Sequence, residues 1–129
     1  NFVFIQVGIV DADSFHQGGV IETIEENIEM NLRKYVYLIK QLGYNAEYRY
    51  SIGTDVADEV LKIVPEIVDK YTNTTFVGGQ LLFSGTYRVS RLLHNYTIFS
   101  IQRRLYKLGL TTIIIPISLR KALQVNNYK

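Results

Sequence analysis

Apolar residues along this chain follow two patterns: short continuous runs, and steps of three or four positions between those runs. Three runs are rich in β-branched residues: FVFIQVGIV (Phe2–Val10), TTFVGGQLLF (Thr74–Phe83) and LTTIIIPI (Leu110–Ile117). Such runs are typical of strands that are buried on both faces of a parallel sheet. A fourth segment, YNAEYRYSI (Tyr44–Ile52), alternates more and predicts a strand nearer the sheet edge. We expect the last strand to end at Pro116, because proline cannot donate to a ladder.

Three helices are predicted between these strands. The first covers Val20–Leu42, where glutamates crowd the start and a glycine follows the end, as a C-cap requires. The second begins after the capping residues Thr54 and Asp55, and Pro65 within it should kink it or split it in two. The third begins at its cap, Asn95, and ends before another glycine. The residues predicted to face the core are Ile21, Ile24, Ile28, Leu32, Tyr35, Ile39 and Leu42 in the first helix, Val56, Val60, Ile63, Val64 and Ile67 in the second, and Ile98, Ile101, Leu105 and Leu108 in the third.

The order of the predicted elements indicates the fold class. Strand and helix alternate three times and a final strand follows, which implies parallel strands, right-handed crossovers and helices on both faces of the sheet. We therefore predict a three-layer α/β fold, Rossmann-like, around a mainly parallel four-stranded sheet. The domain is predicted to cover residues 1–117, and residues 118–129 form a short basic tail.

Composition limits the class of protein. At 129 residues, 47% hydrophobic and 20% charged, the chain has the composition of one soluble globular domain. No apolar run approaches the roughly 20 residues that span a bilayer. The absence of cysteine excludes disulfides and thiolate chemistry. Because the chain opens directly into a strand-like run at Asn1, without an initiating Met, we expect a piece of a longer protein.

The net charge of +2 conceals a strong asymmetry along the chain. Residues 1–69 contain all 12 acidic residues and five basic ones, a balance of −7, whereas residues 70–129 contain nine basic residues and no acidic one, a balance of +9. This second half could attract an anionic partner, such as lipid headgroups, nucleic acid or an acidic face of another subunit. Alternatively, the two halves fold against each other and their charges neutralise locally.

Candidate ligand residues lie in the loops at the carboxyl ends of the strands, where open parallel sheets bind ligands. Asp11 and Asp13 could hold a ribose or a metal, although loop aspartates more often form turns and solvated caps. The only histidines, His16 and His94, fall on the same edge, but a first-row metal needs a third ligand at a defined spacing. The chain contains no nucleophile elbow, Walker loop, zinc spacing or dinucleotide fingerprint. We therefore predict no catalytic residue and no metal site.

Basic and aromatic residues are mixed in and before the third helix, as they are on nucleic-acid surfaces. They are Arg88, Arg91, Arg103, Arg104 and Lys107, with Tyr87, Tyr96 and Tyr106 nearby. A solvated helix face whose cations complement the helix dipole explains the same residues more simply, and we expect no nucleic acid partner.

Short motifs spread over most of the chain between Phe2 and Ile117 carry a family resemblance. Three of them, GTDVADEVL, TTFVGG and TTIIIPI, follow the second half of the universal stress protein fold. The chain more closely resembles the universal-stress-protein-like cytosolic C-terminal domain of amino-acid permeases in the amino acid–polyamine–organocation superfamily. The most specific part is RLLHN (Arg91–Asn95) with QRRL seven residues after it. The segments that carry this match are FVFIQVGIVD, EYRYSIGTDV, RLLHN, QRRLYKLGL and IIIPI.

The resemblance has implications for the sheet and for nucleotide binding. It implies that the first strand of the stress-protein fold is missing, which leaves the order 2-1-3-4, and an upstream segment or another chain could supply that strand. ATP-binding stress proteins share a G-x2-G-x9-G-[ST] loop, in which glycine lets the backbone approach the phosphates. Here Gly79 fits the first position, Leu82 replaces the second glycine, and His94 and Asn95 stand in place of the final pair. These departures from the loop predict no cofactor and no specific ATP site, although the helix N-terminus could still attract an anion.

The function implied by the resemblance is a non-enzymatic regulatory or assembly domain of a membrane transporter, an amino-acid permease, at the cytoplasmic face of the cell membrane. Stress-protein-like domains commonly pair through their last strand, which implies a homodimer. Its interface would include Ile113, Ile114, Ile115 and Ile117. The basic surface of Arg88, Arg91, Arg103, Arg104 and Lys107 would face anionic lipid or the transmembrane part of the transporter. The alternative is a sensor that holds a nucleotide or another small anion between Asp11, Gly79, His94 and Asn95.

Overall fold

The computed structural model describes residues 1–11, 13, 18–82 and 88–118, and only the backbone of residues 81, 82, 88–94 and 118. Strands and helices alternate along the described chain. The elements are β1 (Phe2–Ile9), α1 (Val20–Gln41), β2 (Ala46–Gly53), α2 (Val56–Lys70), β3 (Thr75–Leu82), α3 (Arg88–Lys107) and β4 (Thr111–Ser118). The α/β class and the predicted order of elements are confirmed. The predicted basic tail beyond β4 lies outside the described residues.

The four strands form two parallel pairs. β1 pairs with β2 in a register that runs from Phe2 opposite Ala46 to Ile9 opposite Gly53. β3 pairs with β4, with Gly79 opposite Ile115. Each pair is a β-α-β unit in which the connecting helix, α1 or α3, contacts both of its strands. The chain divides into two compact units, residues 1–66 and 67–129, and the joining of both pairs into one sheet remains a prediction.

In the first unit, helices lie on both faces of the β1–β2 pair. The Tyr50 hydroxyl donates to Glu25 of α1, whereas the hydroxyl of the next residue, Ser51, donates to Glu59 of α2. Because successive side chains of a strand point to opposite faces, these two bonds place α1 and α2 on opposite sides. The glutamate at position 25 is the main reason that the pKa of Tyr50 is raised to about 12.

In the second unit, α3 covers one face of the β3–β4 pair. Leu105 is 1% exposed and Ile101 is 8% exposed, so they form the core on this side. The helix approaches the sheet closely at Gly78, because a methyl group there would overlap the side chain of Ile98. A larger residue at this position would require the Ile98 side chain or the helix to shift.

Three predicted helix ends are confirmed by their geometry. Gly43 has φ +86°, and the N–H that follows it donates to the Ile39 carbonyl at 3.2 Å. Gly109 has φ +74°, and the next N–H donates to the Leu105 carbonyl at 3.0 Å. Both are C-terminal caps that need a left-handed residue. At the start of α2, Oδ1 of Asp55 accepts the N–H three residues later at 2.9 Å, which is an N-cap.

Two predicted element boundaries are wrong, and of the two effects predicted for Pro65, a kink or a split, the split does not occur. α3 begins at Arg88, so Asn95 lies within the helix; an interior Asn costs at most about 0.7 kcal/mol relative to Ala. α2 is not split, because the apolar stripe that contains Val64 and Ile67 is buried on both sides of Pro65. β4 continues through Pro116 and does not end there. Proline lacks a backbone N–H, and a strand with one described neighbour tolerates this loss where the N–H would point to its unpaired side.

Three residues predicted to face the core are exposed instead. Leu42 and Leu108 each follow the last turn of a helix, where the chain has already left the packed face, and they are 70% and 63% exposed. Tyr35 remains in the apolar stripe and stacks on Phe4 with ring centroids 5.6 Å apart, although it is 52% exposed. Among the described residues, no helix is long and apolar enough to cross a membrane.

Candidate functional site

A row of isoleucines lies exposed on the face of the β3–β4 pair that α3 does not contact. Ile113, Ile115 and Ile117 are 50%, 48% and 42% exposed, and Val77, which is opposite Ile113, is 63% exposed. Strand alternation places all four on the same face. We call this surface, made by Val77, Ile113, Ile115 and Ile117, the isoleucine face. Because contiguous exposed apolar surfaces are common at interaction sites, we take this face as the candidate site.

The predicted interface residues divide between the two faces of β4. Ile113, Ile115 and Ile117 lie on the isoleucine face, whereas Ile114 is half-buried on the face toward α3. Gly79 contributes to the same surface by leaving space, since a Cβ there would lie 2.6 Å from Cδ1 of Ile117. A side chain at Gly79 would therefore displace the terminal methyl group of Ile117.

The predicted anion site draws its residues from both units. Asp11 is exposed at the carboxyl end of β1 in the first unit, and Asp13 is exposed as well. Gly79, His94 and Asn95 belong to the second unit; Asn95 is half-buried within α3, and the side chain of His94 lies outside the described residues, as does His16. The joint site remains a prediction. Within residues 1–11, 13, 18–82 and 88–118, no group of three or more His, Cys, Asp or Glu is arranged to hold a metal.

The last turns of α3 present a basic surface that includes an aromatic ring. Arg103, Arg104 and Lys107 are exposed, Tyr106 between them is 79% exposed, and Tyr96, two turns earlier in the helix, is 68% exposed. The side chains of the other two predicted members, Arg88 and Arg91, lie outside the described residues. The cations of such a surface attract anionic groups, and its tyrosine rings offer flat apolar faces for contact.

Sequence reasoning missed a polar cluster around Glu59, which is 8% exposed. Its carboxylate accepts hydrogen bonds from the Ser51 hydroxyl and from Nζ of Lys62, the latter at 2.5 Å. A Cβ at Gly53 would lie 2.5 Å from Cγ of Glu59, so the helix rests directly on the end of β2. The hydrogen bonds from Lys62 and Ser51 lower the pKa of the Glu59 carboxyl. A carboxylate held in this way ties β2 to α2 and is poorly suited to proton transfer.

Replacing Glu59 with Gln should flatten the acid limb of the stability curve. Because the pKa of Glu59 is lower in the folded than in the unfolded chain, its stabilisation is fully present above the ordinary glutamate pKa of about 4.3 and is lost as the pH falls through the folded value. Thermal melts between pH 7 and pH 3 would measure the slope. The matched control is Glu26→Gln, an exposed glutamate of α1. Equal slopes in both variants would contradict a special role for Glu59.

A cavity of about 370 Å³ lies at the amino end of β4. Its lining is uncharged and comprises Gln102, Tyr106, Gly109, Leu110, Thr111 and Thr112. Ligands of parallel sheets bind at the opposite, carboxyl end of the strands. We therefore assign this cavity no ligand.

Comparisons with known proteins do not narrow the choice between these surfaces. No protein-family model, no curated protein and no solved structure matches the chain.

Proposed function

We propose that the chain is a non-enzymatic regulatory and assembly domain at the cytoplasmic face of a membrane transporter of the amino-acid permease kind. The resemblance of its motifs to such domains supports the transporter context. The observation that carries the assembly role is the isoleucine face, whose side chains are between 42% and 63% exposed. Two copies of the chain cover this face with each other in a homodimer.

The energetics favour such a dimer. Burying an exposed Val or Ile side chain completely contributes about 1.5–3 kcal/mol, and each of these side chains is roughly half exposed. A two-fold interface brings the same residues from both copies together, which doubles the apolar surface removed from water. Strand β4 has one described neighbour, so its second edge lies beside this face and is available to the partner.

We also propose that β1 and β3 join the two strand pairs into one sheet in the order 2-1-3-4. The N–H of Phe2 donates to the carbonyl of the residue just before β2 at 2.8 Å, and the N–H of Val10 donates to the carbonyl of the last residue of β2 at 3.0 Å. Since the peptide groups of a strand point alternately to its two sides, those of Val3, Ile5 and Val7 point away from β2. Among the described residues β1 pairs with β2 alone, so an apolar strand offers a second edge, and such edges recruit another strand.

The basic surface of α3 would face the membrane or the transporter in this arrangement. Arg103, Arg104 and Lys107 extend from one helix end, and cytoplasmic segments next to a membrane are enriched in Lys and Arg. Each cation near an anionic leaflet contributes about 1 kcal/mol of attraction. Binding through this surface should therefore weaken strongly as salt is raised.

Replacing Ile115 with Glu should convert a dimer into a monomer. A carboxylate at the centre of the isoleucine face would have to be buried without a partner, which costs several kcal/mol. Light scattering coupled to size exclusion would report the mass, and circular dichroism would confirm that the fold is retained. The matched control is Leu42→Glu, which places the same charge at a 70% exposed leucine of the first unit and should leave the dimer intact. A wild-type chain that stays monomeric at about 100 μM would contradict the assembly role.

A further inference from the structure

The outward side of α1 carries a second unusual surface, in the half of the helix near its C-terminus. At 100° per residue, one side of the helix presents the buried residues Ile28 and Leu32 to the sheet. The opposite side should therefore be polar, as on most surface helices. Instead it bears large apolar residues. We call this surface the outer stripe of α1; its members are Met30, Lys34, Tyr37, Leu38 and Gln41.

The apolar members of the outer stripe are strongly exposed. Met30 is 51% exposed, Leu38 is 58% exposed and Tyr37 is 63% exposed. Tyr37 and Leu38 line an open depression of about 460 Å³, together with Arg33 and Lys34, and its walls are apolar. No requirement of the first unit explains these side chains, because the core that α1 forms lies on its other side.

Charges of both signs lie along α1: Glu26 is exposed on the same side one turn before the stripe, whereas the stretch that carries the stripe is basic. Residues 30–46 contain Arg33, Lys34 and Lys40 and no Asp or Glu. Arg33 binds Glu29 at 2.9 Å, whereas no described carboxylate lies within ion-pair distance of Lys34 or Lys40. This stretch is positive even though the first half of the chain as a whole is negative.

We propose that the outer stripe of α1 inserts shallowly into the headgroup region of an anionic lipid bilayer. Tyr37 would lie at the interface, where tyrosine is enriched because one end of it is apolar and the other end polar. Met30 and Leu38 would enter the acyl boundary, as apolar residues of interfacial helices do. The ammonium groups of Lys34 and Lys40 would reach lipid phosphates while their stems cover apolar surface.

The size and shape of the stripe favour a bilayer over a protein partner. A stable protein interface buries about 800 Å² on each side, which is more than three apolar side chains on a single convex helix provide. A bilayer supplies a deformable acceptor for a few side chains, and the attraction of its anionic headgroups adds to the apolar term. This inference is independent of the proposed function, since it requires no transporter and no dimer.

The first experiment uses tryptophan fluorescence, because the chain contains no Trp and any Trp introduced is the only one. In the full chain, Tyr37→Trp should show a blue-shifted emission with vesicles of phosphatidylcholine and 30% phosphatidylserine, and no shift with phosphatidylcholine alone. Tyr106→Trp places the reporter on the basic surface of α3 at a position that is 79% exposed. A shift only at position 106 would overturn the inference while supporting lipid contact by α3.

The second experiment tests the charges. Lys34→Gln with Lys40→Gln should weaken binding to the same vesicles roughly tenfold or more in flotation assays, since each lysine contributes roughly a fivefold factor. Leu38→Ser should weaken binding also at high salt, where the electrostatic part is screened. The control Arg103→Gln with Arg104→Gln removes two charges from α3 and should leave the Tyr37→Trp shift in place. Absence of vesicle binding, together with a change of mass in Leu38→Ser, would show a protein contact instead and overturn the inference.

Discussion

Replacing Leu105 with Ala should lower the free energy of unfolding by about 2–5 kcal/mol, the largest single loss that we expect in the second unit. Leu105 is 1% exposed and lies in the last turns of α3, a helix that contacts both strands of its pair. Truncation removes buried apolar surface and leaves a cavity, and both effects destabilise the folded state. Urea unfolding followed by circular dichroism would measure the change from the midpoint and the slope.

The control for this experiment lies three residues further along the chain. Leu108 fits the same apolar spacing in the sequence but is 63% exposed beyond the end of α3. Leu108→Ala should therefore change stability by no more than about 0.5 kcal/mol. Similar losses of stability in both variants would contradict the observation that α3 ends before Leu108 and leaves its side chain exposed.

Replacing Gly78 with Val should destabilise the protein by about 1–3 kcal/mol, although valine favours strands. A Cβ at this position would overlap the side chain of Ile98, so that side chain would have to change rotamer or α3 would have to shift. The same substitution at Gly18, where no described atom lies within 4 Å of an added Cβ, should be close to neutral. Thermal and urea unfolding would compare the loss of stability at Gly78, which lies against a side chain, with that at Gly18, which has no described neighbour.

A double variant identifies the cause of the Gly78 effect. In an Ile98→Ala background the space next to Gly78 is empty, and Gly78→Val should there cost less than in the wild type. The coupling energy between contacting residues is typically about 0.5–3 kcal/mol. Equal costs in the two backgrounds would indicate that the overlap with Ile98 is not the origin of the loss.

Much of the fold could be predicted because several of its elements depend on short segments or single residues that the backbone physically requires there. The runs that became β1 and β4 are β-branched, and both strands form within one residue of the predicted bounds. Gly43 and Gly109 mark helix ends, because a left-handed residue is needed there and glycine adopts it without a steric cost. Asp55 caps α2 for an equally local reason, its carboxylate oxygen accepting a free N–H.

The structure departs from local sequence signals where the free energy of burial outweighs a local preference. Asn95 was predicted to start α3, but its small penalty inside a helix did not stop the helix from beginning at Arg88. Pro65 removes one helical hydrogen bond, at a cost of about 3 kcal/mol, and the apolar stripe of α2 offsets this by burial on either side. Such balances depend on neighbours that are distant in sequence.

The candidate site could be predicted only in outline. The spacing of Ile113, Ile115 and Ile117 placed them on one face of a strand, because strand side chains alternate. Whether a helix covers that face depends on how the elements of the unit pack together. In the structure α3 covers the opposite face of the strand pair, and the isoleucine face is exposed. The Glu59 cluster was not visible beforehand, since its burial depends on the contact of α2 with Gly53.

The sequence by itself determined the class of the fold, the order of strands and helices, and the residues at which several helices end, since each follows from side-chain periodicity or from one backbone requirement. Only the tertiary structure decided which apolar residues are covered. Leu105 and Leu108 share one pattern, yet one is buried and the other exposed. Tyr37 and Ile115 carry large side chains that remain exposed, and each lies on a surface for which we propose an external partner. The physical reason is that burial depends on which elements meet in space, and no local pattern contains that information.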